Sequence, residues 1–201
     1  MQEIDFPDRL RLPLEFDPAR LAAEMANFSS AQWIKHFVKQ NYDGDWSVIA
    51  LRSLAGETHP VRMIYSDPSR RDYVDTPVLA SCPYFQEVLS AFGCPLHAVR
   101  LMRLAPGSVI KEHRDYTLSF EQGLVRMHIP VLTNEGVNFR LNGTRVAMPA
   151  GSCWYLRLHD PHFVANQGAS DRVHMVIDAV VNEWLIALFE RAAGAEAKAS
   201  S

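Results

Sequence analysis

Arg172-Val173-His174-Met175-Val176-Ile177-Asp178 sets Val173, Met175 and Ile177 on one side of an extended chain and Arg172, His174 and Asp178 on the other. Alternate residues of a β-strand share a face, so one face of this strand is apolar and the other carries three polar groups. Arg126-Met127-His128-Ile129 alternates in the same way. Burying that many polar groups is costly unless they are paired or bind something, so the polar face points to a functional lumen. Outward from these two segments, short apolar runs follow one another: His97–Leu104, Val109–Glu112, Val125–Leu132, Val137–Leu141, Arg145–Met148, Ser152–Leu158 and Arg172–Val180. Turn signals divide them, among them Ala105-Pro106-Gly107, Pro149-Ala150-Gly151 and Asn166-Gln167-Gly168. Asn142-Gly143 is the strongest, since a type I′ hairpin turn needs positive φ at both central residues. About seven short strands with frequent turns predict a mainly β sandwich or barrel, and a double-stranded β-helix (a cupin-like jelly roll) fits over residues 97–181.

The flanks read differently. Asp17-Pro18 is a helix start, with aspartate as N-cap and proline at the first position, leading into Ala19–Phe28. Trp46–Leu51 reads as a strand, and Pro83–Phe92 as a helix stopped by Gly93 and Pro95. Asn182–Ala193 closes the chain as an amphipathic helix, with an Ala/Ser/Lys tail expected to fray from about Ala192. The expected organisation is one domain of 201 residues: an N-terminal α/β elaboration (1–96), the jelly-roll core (97–181), and a C-terminal helix and tail (182–201).

Hydrophobic residues make up 48% and charged residues 21%, a balance that suits a packed globular core. Net charge is -3 and no lysine/arginine run tracks a phosphate backbone, so no nucleic-acid partner is expected. The acidic N-terminus lacks the apolar core of a signal peptide, and no apolar stretch is long enough for a membrane span. Cys82, Cys94 and Cys153 have no CxxC spacing and read as small buried hydrophobes of a reducing, cytoplasmic protein.

His113-Arg114-Asp115 is the first half of a two-histidine, one-carboxylate facial triad, which leaves three adjacent positions open on a non-haem iron for co-substrate and O₂. The second histidine should come later, from His159, His162 or His174. His162 is the choice, because Arg172 follows it by ten residues and offers the planar fork that a co-substrate carboxylate needs near the metal. His159 and His174 then read as structural or supporting, and Asp178 as orienting a neighbour. Other readings of these letters are weaker. His-Arg-Asp also occurs in protein kinase catalytic loops, but no Gly-rich loop, strand lysine or Asp-Phe-Gly accompanies it. The run from Gly107 to His113 resembles the start of a cupin motif, yet 115 is aspartate where a cupin has histidine.

Taken in order, Pro106-Gly107 through His113-Arg114-Asp115, Val125 through Ile129, Pro161-His162 with Asn166, and Arg172-Val173-His174 through Asp178 resemble the aspartyl/asparaginyl β-hydroxylase family of Fe(II)/2-oxoglutarate dioxygenases. The resemblance is strongest to the small bacterial branch that includes proline cis-4-hydroxylases. It implies that His113 and His162 ligate iron and that Arg126, His128 and Arg172 contact 2-oxoglutarate. Animal members lack the carboxylate ligand; Asp115 therefore aligns this chain with the bacterial branch. Met102 falls where the animal enzymes carry a serine near the co-substrate. The activity implied is a hydroxylase that oxidises an unactivated C–H of an amino acid, or of an amino-acid residue in a short peptide, with O₂ consumed and succinate and CO₂ released. The competing expectations are a protein aspartyl/asparaginyl hydroxylase and a non-catalytic, cupin-like metal- or small-molecule-binding module. No catalytic side chain beyond the metal ligands is expected. Trp46 and Arg52 are the expected substrate contacts, Tyr65–Tyr73 is expected lid material, and Arg100 and Arg103 are further candidates for a carboxylate anchor.

Overall fold

A computed structural model describes residues 6–199; the reading of the first five residues and of Ser200 and Ser201 lies outside the described residues. The N-terminal half contributes β1 (Arg9–Glu15), α1 (Pro18–Met25), β2 (Ile34–Lys35), β3 (Tyr42–Asp43) and β4 (Trp46–Leu54), then α2 (Pro60–Met63), β5 (Tyr73–Asp75), α3 (Pro77–Ala80) and α4 (Pro83–Ser90). Next come β6 (Leu96–Leu104), β7 (Val109–His113), β8 (Leu124–Leu132), β9 (Val137–Leu141) and β10 (Thr144–Arg145). The chain ends on β11 (Ser152–Leu156), β12 (His162–Asn166), β13 (Arg172–Val180) and α5 (Glu183–Ala199).

These strands form two antiparallel sheets, one of eight strands ordered β1-β11-β8-β13-β6-β4-β2 with β5 beside β4, the other of five ordered β10-β9-β12-β7-β3. The large sheet is buried on both faces, which explains why β13 shows eight consecutive buried residues. Val173, Met175 and Ile177 join Met127 and Ile129 in a core shared with Leu21 of α1, Phe85 of α4 and Leu185 and Phe189 of α5. On the opposite face Val176 joins Met102, Leu104, Phe139, Leu141 and Val164 between the two sheets. The polar residues of the alternating segments share that inner face, at the end of the lumen where the metal motif lies.

Local signals act as the sequence dictates. Asp17 accepts hydrogen bonds from the Ala19 and Arg20 amides at 2.8 and 3.2 Å, capping α1 ahead of Pro18. Asn142 (φ 51°) and Gly143 (φ 73°) make the β9–β10 turn, both left-handed as a type I′ turn requires. Two expectations need correction, and two strands were not read. The expected strand Arg145–Met148 shrinks to Arg145, and Val146 and Met148 turn inward to the lumen core instead. The helix 183–199 runs through the tail that was expected to fray at Ala192. β1 was missed although Leu10 and Leu12 are buried in alternation with Arg9 and Arg11; Pro13 disguises it and sits where the register with β11 shifts. β12 was not among the expected strands, because only Phe163, Val164 and Ala165 of it are apolar.

Candidate metal centre

β7 and β12 are antiparallel neighbours, and their register sets His162 directly opposite His113. Their rings lie 4.2 Å apart between centroids. Asp115 follows two residues after β7 ends, and its amide donates to the Leu158 carbonyl at 2.8 Å, which holds the turn against the loop before β12. One ligand atom each of His113, Asp115 and His162 lies within 4.8 Å of the others. The imidazoles are oriented for ligation. His113 Nδ1 lies 2.7 Å from the Lys111 carbonyl and His162 Nδ1 lies 3.0 Å from the Asp160 carbonyl. A carbonyl only accepts, so each Nδ1 carries the hydrogen and each Nε2 keeps its lone pair for a metal. Burial, reinforced by the neighbouring His113, lowers the His162 pKa to about 4, so the ring is neutral at neutral pH, as a ligand must be. His159 and His174, the other candidates, are not in this group.

The three residues open on a cavity of about 620 Å³ whose wall includes Arg172, Arg126, His128, Arg100, Met102 and Trp46. Arg172 is 2% exposed. Among the described residues it has no carboxylate partner: its terminal nitrogen donates to His174 Nδ1 at 2.9 Å, and its Nε is buried with no partner at all. Burial alone pulls its pKa down to about 9. A buried cation without a counter-charge costs several kcal/mol. The arrangement fits an anionic ligand that would lie between Arg172 and the three converging residues. His128 Nδ1 lies 3.2 Å from His174 Nδ1, while His128 Nε2 is buried and unpartnered. Burial first, then the Arg172 charge, holds both imidazoles well below their usual pKa, hence neutral.

Arg126 is differently placed. Its NH1 donates to Asp115 Oδ2 at 2.6 Å, and its Nε and NH2 donate to Asp178 Oδ1 and Oδ2 at 2.6 and 3.0 Å. Asp178, fully buried, also accepts from Arg100 at 2.7 Å, so it orients neighbours as its sequence position suggested. Of the expected substrate contacts, Trp46 lines the cavity and its indole Nε1 is buried without a partner. Arg52 is not in the cavity wall: its guanidinium is taken by the Asp75 carboxylate and the Tyr73 carbonyl of β5. The strand beside β4 supplies a counter-charge that the sequence did not show to be adjacent. Arg103 instead lies over the Trp33 ring at 4.6 Å. Tyr65, Ser66, Asp67 and Pro68 do border the cavity. His36 was missed: its ring stacks on Trp46 with centroids 3.6 Å apart, and it lines the cavity from the segment after β2. No motif marks it, since a lone histidine is most often structural. Cys82, Cys94 and Cys153 are all free and buried, as read.

The sequence profile describing aspartyl/asparaginyl beta-hydroxylases matches residues 15–181, most of the chain. The chain belongs to the aspartyl/asparaginyl β-hydroxylase family. Within this family's reach it is 26% identical over 168 residues to the L-proline cis-4-hydroxylase of Rhizobium meliloti (strain 1021), a stretch covering 82% of this chain and 58% of that protein. The chain thus spans a little over half the length of that curated relative. The hydroxylase-family fold is also that of a 2OG-Fe(II) oxygenase family oxidoreductase from Burkholderia pseudomallei, with 17% identity, TM-score 0.54, and 86% and 85% of the two chains aligned. A Pseudomonas putida prolyl-4-hydroxylase aligns with TM-score 0.52 at 11% identity, over 87% of this chain and 93% of that one. Among the described residues, no helix is long and apolar enough to cross a membrane.

Proposed function

We propose that this protein is an Fe(II)- and 2-oxoglutarate-dependent hydroxylase of a free amino acid or of an amino-acid residue in a short peptide. The observation that carries this reading is the pairing of Arg172, buried without a carboxylate, with three converging ligand atoms in the same cavity. His113, Asp115 and His162 would hold the iron, and Arg172 the far carboxylate of 2-oxoglutarate. When bound, iron and 2-oxoglutarate supply the oxidation that inserts one atom of O₂ into a C–H bond, with succinate and CO₂ released. The protein's own part is to orient and to exclude water. The imidazoles present Nε2 because carbonyls hold their Nδ1 hydrogens, and the stacked pair of Trp46 and His36 gives one side of the cavity a dry wall. The neutral His128 and His174 pack beside Arg172 and add no charge of their own next to it.

A cavity of about 620 Å³ that must take the co-substrate as well leaves room for a compact molecule, and this favours an amino acid or short peptide over a folded protein domain. The relative in Rhizobium meliloti is named for a free amino acid, in keeping with that choice. The test is succinate release from 2-oxoglutarate with Fe(II), measured with and without a panel of amino acids and short peptides. Several-fold stimulation by one of them supports the reading. Stimulation by a protein fraction alone would move the substrate to protein side chains. No succinate under any condition would leave a non-catalytic binding module.

A further inference from the structure

Two arginines face the metal residues, and the structure gives them different work. Among the described residues Arg172 has no carboxylate partner. Arg126 has two, and every nitrogen of its guanidinium is directed at one or the other. Asp178, directly opposite Arg126 in the β13–β8 register, takes the side-on pair of bonds. Asp178 Oδ2 also accepts from Arg100 at 2.7 Å and from the Ser66 hydroxyl at 2.6 Å. The remaining Arg126 nitrogen reaches Asp115 Oδ2, while Asp115 Oδ1 is the oxygen turned to His113 Nε2, 3.8 Å away. Two carboxylates and two guanidinium groups, Asp115, Asp178, Arg100 and Arg126, therefore form a charge-balanced chain from the cavity's Ser66 border to the metal residues.

On the reading that His113, Asp115 and His162 form a metal centre, we propose that Arg126 and Asp178 are positioning residues that fix Asp115 to offer Oδ1 alone. The reason is coordination number. A facial triad leaves three positions open only if its carboxylate takes one. A carboxylate free to swing can chelate with both oxygens and take a second. Arg126 holds Oδ2 with a charge-assisted bond at 2.6 Å, which would keep that oxygen from a metal held by the three residues, and Asp178 keeps the Arg126 guanidinium aligned through two bonds of its own. Ser66 and Arg100 complete the shell of Asp178, so the segment bordering the cavity is tied through Arg126 to Asp115 Oδ2.

The test uses the whole chain with Co(II) as the probe metal, without 2-oxoglutarate or substrate. Its dissociation constant and its visible d–d spectrum are read, and folding is checked by circular dichroism. Arg126→Lys keeps the charge but cannot span both carboxylates. It should weaken Co(II) binding about 10- to 100-fold, the range for partners of metal ligands, and change the spectrum as the coordination number changes. Asp178→Asn should do the same if it folds; if the loss of a buried charge unfolds it, Arg126→Lys decides. Arg172→Lys, which touches none of the triad, should keep Co(II) affinity within about twofold. A folded Arg126→Lys protein with wild-type affinity and spectrum overturns the proposal, and so does an equal loss of affinity in Arg172→Lys. Failure of the wild-type chain to bind Co(II) would instead overturn the metal-centre reading beneath it.

Discussion

His162 stands directly opposite His113 across the β12–β7 pair, with both Nδ1 atoms turned to backbone carbonyls, the tautomer that leaves each Nε2 its lone pair. The two histidines are 49 residues apart in the chain, yet a single step of strand register unites them. A one-residue slip would send one imidazole to the other face.

The first prediction follows from that pairing. His162→Ala should cost more metal affinity than the about 10- to 100-fold typical of partners behind the ligands. Asp115→Ala should cut turnover strongly but leave measurable metal binding, since the histidine pair survives. Titration with Co(II) or Fe(II) under nitrogen checks both. Wild-type affinity in His162→Ala would remove His162 from the centre.

Arg172 yields the second. Arg172→Lys keeps a cation but loses the fork, so the apparent KM for 2-oxoglutarate should rise about tenfold or more, equivalent to about 1.4 kcal/mol or more. An unchanged KM in the lysine variant contradicts the assignment.

Stability of the metal-free protein should fall on acidification. Burial lowers the His36 pKa from 6.5 to about 3, and those of His128 and His174 well below 6.5. Below pH 6.5 the unfolded chain binds protons that the folded chain refuses, so each group removes up to about 1.4 kcal/mol per pH unit until its folded pKa is reached. Urea midpoints at pH 7 and pH 5 test this. His36→Phe, which keeps a ring against Trp46, should flatten the slope by one group's share; an unaltered slope would show that His36 takes up its proton as readily in the folded protein as in the unfolded chain.

Much of the fold was legible because its rules are local. The alternation in β13, the Asn142-Gly143 turn and the Asp17-Pro18 cap each need only neighbouring residues, and all three stand as read. What was hidden depends on partners distant in sequence. Only β5 brings Asp75 beside Arg52, and only the β13–β8 register places Asp178 opposite Arg126. β1 carried the right alternation, but Pro13 argued against a strand and only its place at the sheet edge accommodates it. His36 belongs to the site through stacking on Trp46, which no local pattern announces.

The outer core should be separable from the site. Phe189 is fully buried among Phe6, Phe120 and Tyr155, with ring centroids 5.3, 6.2 and 4.6 Å away. Phe189→Ala should cost about 3–5 kcal/mol of folding stability, read from denaturant unfolding, while Co(II) affinity of the folded fraction is retained. Loss of metal binding in the folded fraction would show that α5 and the centre are coupled.

The most direct measurement incubates the protein with Fe(II), 2-oxoglutarate, heavy-isotope O₂ and the common amino acids, and reads products by mass spectrometry. The account predicts one amino acid or short peptide gaining a single heavy oxygen atom, with succinate formed in equal amount and both lost in Arg172→Ala. Succinate and labelled product that persist undiminished in Arg172→Ala, or the absence of any labelled product while Fe(II) and 2-oxoglutarate bind, would contradict it.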